Sequence, residues 1–378
     1  MTPLPKAIRT APPVGWHDRW LHWHIDVWLL CLLMMVAFIG LMTIYSATGG
    51  DVGQVLSQAV RVLMGVVLMA LVAQLPPEFY RAAAPWIYAF TTVLLALTLL
   101  LGDDAKGATR WLDLKFIRFQ PSEIMKLAMP MTVAAYLHHR PLPPRWYDVL
   151  IALFIILVPT LLVAKQPDLG TAILIFTSGA FALYFAGLAW TWIISVFGGL
   201  AIAAPTLWQS GVLHDYQKKR ILTLLDPESD PLGTGYHITQ SKIAIGSGGI
   251  FGKGWLNGTQ AKLDFLPESH TDFAFAVFAE EFGTLGILVL LIIYLLIIGR
   301  CVFIAIRGQD TFQRLLVASL SMTFFIYVFI NMGMVMGILP VVGVPLPLVS
   351  YGGTSAVSLL TGFGMLMSIY THRKLLTS

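Results

Sequence analysis

The sequence predicts an all-α polytopic membrane protein, a bundle of about ten transmembrane helices with one large extracytoplasmic loop. Two observations carry this expectation. The chain of 378 residues is 57% hydrophobic and only 12% charged, whereas a soluble domain carries about 25% charged residues. The apolar residues also fall in blocks of about twenty with polar punctuation, the length an α-helix needs to cross about 30 Å of hydrocarbon.

Ten spans are expected, at 26–46, 55–75, 83–101, 122–139, 147–164, 169–187, 191–208, 272–298, 313–337 and 353–371. The polar segment 1–25 is read as cytoplasmic, because the apolar run after it is too long for a signal-peptide core and lacks a cleavage site. Residues 26–371 then form a single transmembrane domain, with 209–271 as its large outer loop and 372–378 as a cytoplasmic C-terminus. This topology puts Arg81, Arg140, Arg145, Arg300, Arg307 and Arg314 inside; all loops counted together show no bias of basic residues, and an inside excess emerges once the long segment 209–271 is set aside, since long translocated loops are exempt. The net charge of +4 is small and reads as membrane orientation, so no nucleic-acid partner is expected. Cys31 and Cys301 both lie within or beside apolar segments, which argues against a disulfide framework.

Ionisable groups at the mouth of a span are functional candidates by default, since placing them against hydrocarbon costs a few kcal/mol. The stretch LPESHTDFAFAVFAEEFG, residues 266–283, gathers Glu268, His270, Asp272, Glu280 and Glu281 where a polar loop meets an apolar helix. Asp272 is the leading candidate. Glu280 and Glu281 project in different directions at 100° per residue, so they are not expected to line one cavity face together.

Four further motifs surround it. GATRWLDLKFIRFQPSEIMK, residues 107–126, places Pro121 at a helix start with Glu123 near its positive end and Lys126 one turn on. Glu123 and Lys126 at spacing i, i+3 suit a local ion pair; alternatively Arg110, Arg118 and Lys126 form a cationic cluster for phosphate oxygens, with Trp111 inside the charged motif. KQPDLGT, residues 165–171, offers Lys165 and Asp168, the latter either a helix N-cap or a second wall of the same outer site. In the long loop, Gln217-Lys218-Lys219-Arg220 before an apolar run suits a surface helix or a solvated turn, and GSGGIFGKG supplies tight turns or close backbone approach to a ligand. MGILPVVGVPLPLVSYGGTS, residues 336–355, implies non-helical backbone at membrane depth, either a rigid connector or a substrate wall that includes Ser350.

Taken together, RWLDL, RFQPSEIMK, KQPDLGT, GYHITQSKIAIGSGGIFGKGW, LPESHTDFAFAVFAEEFG and PLVSYGG resemble the SEDS family of bacterial shape, elongation, division and sporulation proteins. The likeness runs from the first span to the last and is nearer the elongation branch than the division branch. It implies a peptidoglycan glycosyltransferase that polymerises lipid II outside the bacterial cytoplasmic membrane, with Asp272 as the essential acid. By the same resemblance Trp111, Arg118 and Lys126 belong to the substrate cavity, with Arg110 beside them, and a class B penicillin-binding protein and other membrane proteins of the elongation complex are partners. Asp272 and Glu268 are oxygen donors suited to Mg²⁺ or Mn²⁺ at a diphosphate, though no spacing demonstrates such a site. Two other classes compete, a transporter that flips lipid II and a non-catalytic scaffold for the penicillin-binding protein.

Overall fold

The computed structural model describes residues 23–101, 103–105, 108–113, 118–209, 215–227, 230, 233–263, 265–266 and 268–372. Among these are ten helices of 17 or more residues. They are α1 (Val27–Ala47), α2 (Val52–Ala73), α3 (Pro77–Leu101), α4 (Pro121–His138), α5 (Trp146–Lys165), α6 (Leu169–Phe185) and α7 (Trp190–Gln209), followed by three near the C-terminus. Between α7 and those three lie the shorter α8 (Asp215–Leu225), α9 (Thr234–Gly248) and α10 (Thr259–Lys262), so the last long helices are α11 (Ala274–Ile306), α12 (Thr311–Val335) and α13 (Gly353–Thr371). Seven are long and apolar enough to cross a membrane, and α6 and most of α7 are shorter apolar helices. The tenth, α4, carries Ser122, Glu123, Lys126 and Thr132 and buries all four against protein. A small antiparallel ribbon joins α3 to α4, β1 (Asp103–Ala105), β2 (Ala108–Asp113) and β3 (Arg118–Phe119), in that order. Its strands are too short to leave an alternating pattern in the sequence.

Helix α4 lies inside the bundle, packed on α3, α5, α6, α12 and α13. This position explains its polarity, because a polar side chain within a bilayer faces protein rather than acyl chains. Small residues set the other close contact, α2 against α13: a Cβ at Gly364 would lie 2.5 Å from the carbonyl oxygen of Met69. At one end of the bundle buried charges are paired. Arg300 Nε donates to Asp26 at 2.7 Å and its guanidinium lies 4.7 Å from the Tyr370 ring centroid. Buried Asp148 is held by Tyr136 at 3.0 Å and Arg140 at 3.4 Å. His24 stacks on His372 at 3.7 Å at this same end, so the chain enters and leaves the bundle on one face.

Two stretches leave helical geometry within the bundle, and each is satisfied by protein. Helix α11 breaks at Gly283, whose φ of +63° is left-handed. The break exposes the carbonyls of Glu280 and Glu281, which accept from Lys253 N and Gly254 N at 3.0 and 2.9 Å, and the amides of Thr284 and Leu285, which donate to Gly249 and Ile250 at 2.9 and 3.1 Å. The glycine-rich segment, expected to form tight turns or to approach a ligand, turns at Gly249, Gly252 and Gly254 and brings its backbone against α11. Glu280 joins the same contact, accepting from Lys253 Nζ at 2.6 Å and from Thr259 N and Oγ1, both at 2.9 Å. Glu281 accepts instead from Ser46 of α1. The second stretch, 336–352, threads between helices: Tyr294 Oη donates to Pro347 O at 2.7 Å, and Gly40 and Gly170 leave room for the carbonyls of Leu348 and Val342.

At Gly252 φ is +79°, and a Cβ would sit 2.1 Å from the Glu281 carbonyl oxygen. Gly252→Ala is expected to lower stability by about 2 kcal/mol or more, read as a fall in the thermal midpoint of the protein in detergent. Gly246 lies in α9 with nothing within 4 Å of its Cβ position, so Gly246→Ala should be neutral or stabilise by up to about 1 kcal/mol.

Candidate active site

Three helix N-termini, those of α4, α6 and α13, meet at one polar cavity of about 280 Å³. Each brings the positive end of a helix dipole. The walls include Trp111 from β2, Gln120, Glu123 and Lys126 from the start of α4, Asp168 and Thr171 from α6, Tyr327 from α12, and the segments 343–345 and 351–355.

The local sequence fixes each wall. Gln120 is extended and Pro121 takes the first helical position, so α4 starts abruptly and turns Glu123 and Lys126 inward within its first two turns. Lys126 Nζ lies 2.7 Å from Glu123 Oε2 and also donates to the phenol oxygen of Tyr327. Ser358 Oγ donates to the same Glu123 oxygen at 2.6 Å. The expected i, i+3 pair thus forms, and it forms inside the cavity. Asp168 caps α6 by accepting from Thr171 N at 3.2 Å and also accepts from Gln120 Nε2 at 3.5 Å, so the cap and the wall are one residue.

Asp272 stands in the turn before α11, half-buried. It adjoins the cavity through Gly343, where a Cβ would lie 3.6 Å from Asp272 Oδ2. Buried Asn331 of α12 donates to the carbonyls of both Asp272 and Val344, at 2.9 and 2.8 Å, and so clamps the acidic turn to the cavity wall. Its reach to two non-helical carbonyls depends on the tertiary path of 336–352, which no local sequence pattern encodes.

The other expected residues fall at different distances from this centre. His270 meets the Tyr351 ring edge-on at 5.9 Å, and its carbonyl accepts from Tyr351 N at 2.8 Å. Glu268 is exposed at φ +57° and accepts from Thr271 Oγ1 at 2.7 Å. Ser350 is buried and braces its own turn, its Oγ accepting from Leu346 N at 2.9 Å. Lys165 is exposed at the end of α5 and does not line the cavity. Arg110 and Arg118 lie on β2 and β3, and their side chains fall outside the described residues. Neither Glu280 nor Glu281 lines the cavity. Among the described residues no group of three or more His, Cys, Asp or Glu side chains is placed to hold a metal ion.

Tyr327 in the cavity wall and Arg61 beside it escaped the sequence reading. Arg61 of α2 lies with its guanidinium carbon 4.9 Å from the centroid of Tyr351, and a Cβ at Gly353 would touch its Nε at 3.1 Å. The signal was available, an isolated arginine within an apolar run.

Comparison with known proteins bears on the whole chain. Residues 22–375 match the family of cell cycle proteins named for FtsW, RodA and SpoVE. The chain is 52% identical over 354 residues to the peptidoglycan glycosyltransferase MrdB of Escherichia coli K12, covering 94% of this chain and 95% of that protein. It is 34% identical over 360 residues to a probable peptidoglycan glycosyltransferase FtsW of Geobacter metallireducens, covering 92% and 95%. Among solved structures it is similar to a chain of a peptidoglycan synthase complex that coordinates polymerization and crosslinking, with TM-score 0.81, 30% identity and coverage of 93% of this chain and 98% of that one. The rod shape determining protein RodA of Thermus thermophilus follows the same path with TM-score 0.70, 27% identity and coverage of 92% and 98%. A match over nearly the full length, with these helices in this order, makes the chain a multi-pass membrane protein of the FtsW, RodA and SpoVE family.

Proposed function

We propose that this protein is a peptidoglycan glycosyltransferase of the elongation type, joining lipid II units into glycan strands at the outer face of the bacterial cytoplasmic membrane. The observation that carries the reading is the placement of Asp272 beside a polar cavity walled by three helix N-termini and Lys126. Likeness to a glycosyltransferase at 52% identity supports the reaction class.

In the proposed reaction the acceptor hydroxyl of one lipid II attacks the anomeric carbon of another, and Asp272 takes its proton as the carbon–oxygen bond forms. The bond to the polyprenyl diphosphate breaks, and negative charge develops on that leaving group. Fixed positive groups aimed at the developing charge lower the barrier. Lys126, Arg118 and Arg110 are assigned that role, with Trp111, Glu123 and Asp168 shaping the cavity. Direct displacement inverts the anomeric centre, from an α-linked donor to a β-linked product.

The face shared by His24 and His372 is assigned to the cytoplasm, because the helix ends and connections carrying Arg81, Arg140, Arg145, Arg300, Arg307 and Arg314 lie there. The loop 209–271 then lies outside. A class B penicillin-binding protein is the proposed partner, since the similar chain at TM-score 0.81 belongs to a complex that also crosslinks.

Purified protein mixed with lipid II in detergent should yield glycan strands; a protein that only moves lipids would form none. Asp272→Asn should lower kcat/KM for lipid II by about 100-fold or more, and a rate within about threefold of wild type would refute the assignment of the base. Asn331→Ala leaves two buried carbonyls without this donor, at about 1–3 kcal/mol each. Both the thermal midpoint and the polymerisation rate should fall, and an unchanged midpoint would show that the clamp is not needed.

A further inference from the structure

Lys126, the cation among the described residues that line the cavity, is already committed to Glu123 at 2.7 Å and to Tyr327. A diphosphate brought to these walls would draw on cations beside the cavity as well.

Arg61 is placed to be one of these. It lies along α2 about 14 Å from the outer start of that helix at 1.5 Å per residue, inside a segment apolar enough to span. Among the described residues no carboxylate lies within 4.0 Å of it, and its recorded contact is the face of Tyr351. An arginine inside a span is a functional-site candidate by default, and an anion is the ligand its charge suits. The apolar chain of Arg61 rests against Gly353, where any Cβ would press on Nε at 3.1 Å, so the guanidinium reaches the first turn of α13. That turn holds no acidic residue and no capping side chain, and its backbone donors lie on the cavity wall with Gly352 and Thr354. Tyr351, which carries Arg61, is tied to His270, two residues before the proposed base.

We propose that Arg61 is a diphosphate-binding residue: its guanidinium, laid on Tyr351 beside the start of α13, holds a phosphate of a polyprenyl-diphosphate-linked substrate at the edge of the cavity that Tyr351 and Gly353 line. The assignment rests on the glycosyltransferase reading for the identity of the lipid, and on geometry alone for the presence of an anion site. The planar fork of arginine grips two phosphate oxygens at once, whereas lysine acts as a point charge.

The test uses the purified full chain in detergent and a polyprenyl diphosphate without sugars as the probe. Arg61→Gln should weaken binding by about tenfold or more, as expected for loss of a charge-assisted hydrogen bond, and Arg61→Lys by a smaller factor. The KM for lipid II in polymerisation should rise with the same ranking. Arg61→Leu, suited to an apolar helix, serves as a second neutral variant if Arg61→Gln does not fold, with the thermal midpoint as the check. Binding by a folded neutral variant within about twofold of wild type overturns the proposal, as does failure of the wild-type protein to bind the probe. A wild-type protein that binds the probe in an Arg61-dependent manner yet makes no glycan would sink the enzymatic reading while leaving the anion site standing.

Discussion

Every polar group that this chain carries into the hydrocarbon must find its partner within the protein, because the bilayer core offers none. The site exists because the fold meets that demand at two places where the helices stop. At Gly283 the freed carbonyls and amides of α11 are taken up one by one by residues 249–254. Along 336–352 the irregular backbone is held by Tyr294, Asn331 and Ser350. The first arrangement docks residues 249–254 on α11; the second brings glycines and carbonyls, rather than bulky side chains, to the wall beside Asp272.

The same demand divides the charged residues into two groups. On the face shared by the termini they are neutralised in pairs, Asp26 with Arg300 and Asp148 with Arg140, backed by aromatic rings and hydroxyls. These contacts are architectural: a buried pair broken on one side leaves an uncompensated charge, costing about 3–5 kcal/mol. Around the cavity the charged groups serve its walls: Glu123 and Lys126 satisfy each other, Asp168 caps α6 and accepts from Gln120, and among the described residues Arg61 meets a ring rather than an acid.

Much of this was legible in the chain, and the misses have physical causes. The spans could be read because about twenty apolar residues in a row admit one interpretation, and α13 spans 353–371 as expected. Helix α11 runs on to Ile306, beyond the expected 298, because Arg300 is neutralised by Asp26 and so does not end the helix. The ribbon 103–119 was invisible because its strands are two to six residues long. The Glu123–Lys126 pair and the Asp168 cap follow from local spacing and were foreseen. Asn331 and Arg61 act across more than 50 positions of sequence, through Asp272 and Tyr351, and no local pattern encodes that.

The break in α11 also fixes a height. The whole helix would rise about 50 Å at 1.5 Å per residue, well beyond the roughly 30 Å of hydrocarbon, but residues 284–306 alone rise about 35 Å. Under the proposed orientation the chain below Gly283 serves as a measuring rod standing on the cytosolic boundary, long enough by itself to cross the hydrocarbon, and residues 274–282 carry the acidic turn beyond the break. One extra helical turn below the break would lift that turn by about 5.4 Å, more than the length of a hydrogen bond, while a lipid-anchored sugar stayed at its own level. The spacing between Gly283 and Arg307 is therefore as much a part of the reaction centre as the side chains that line it.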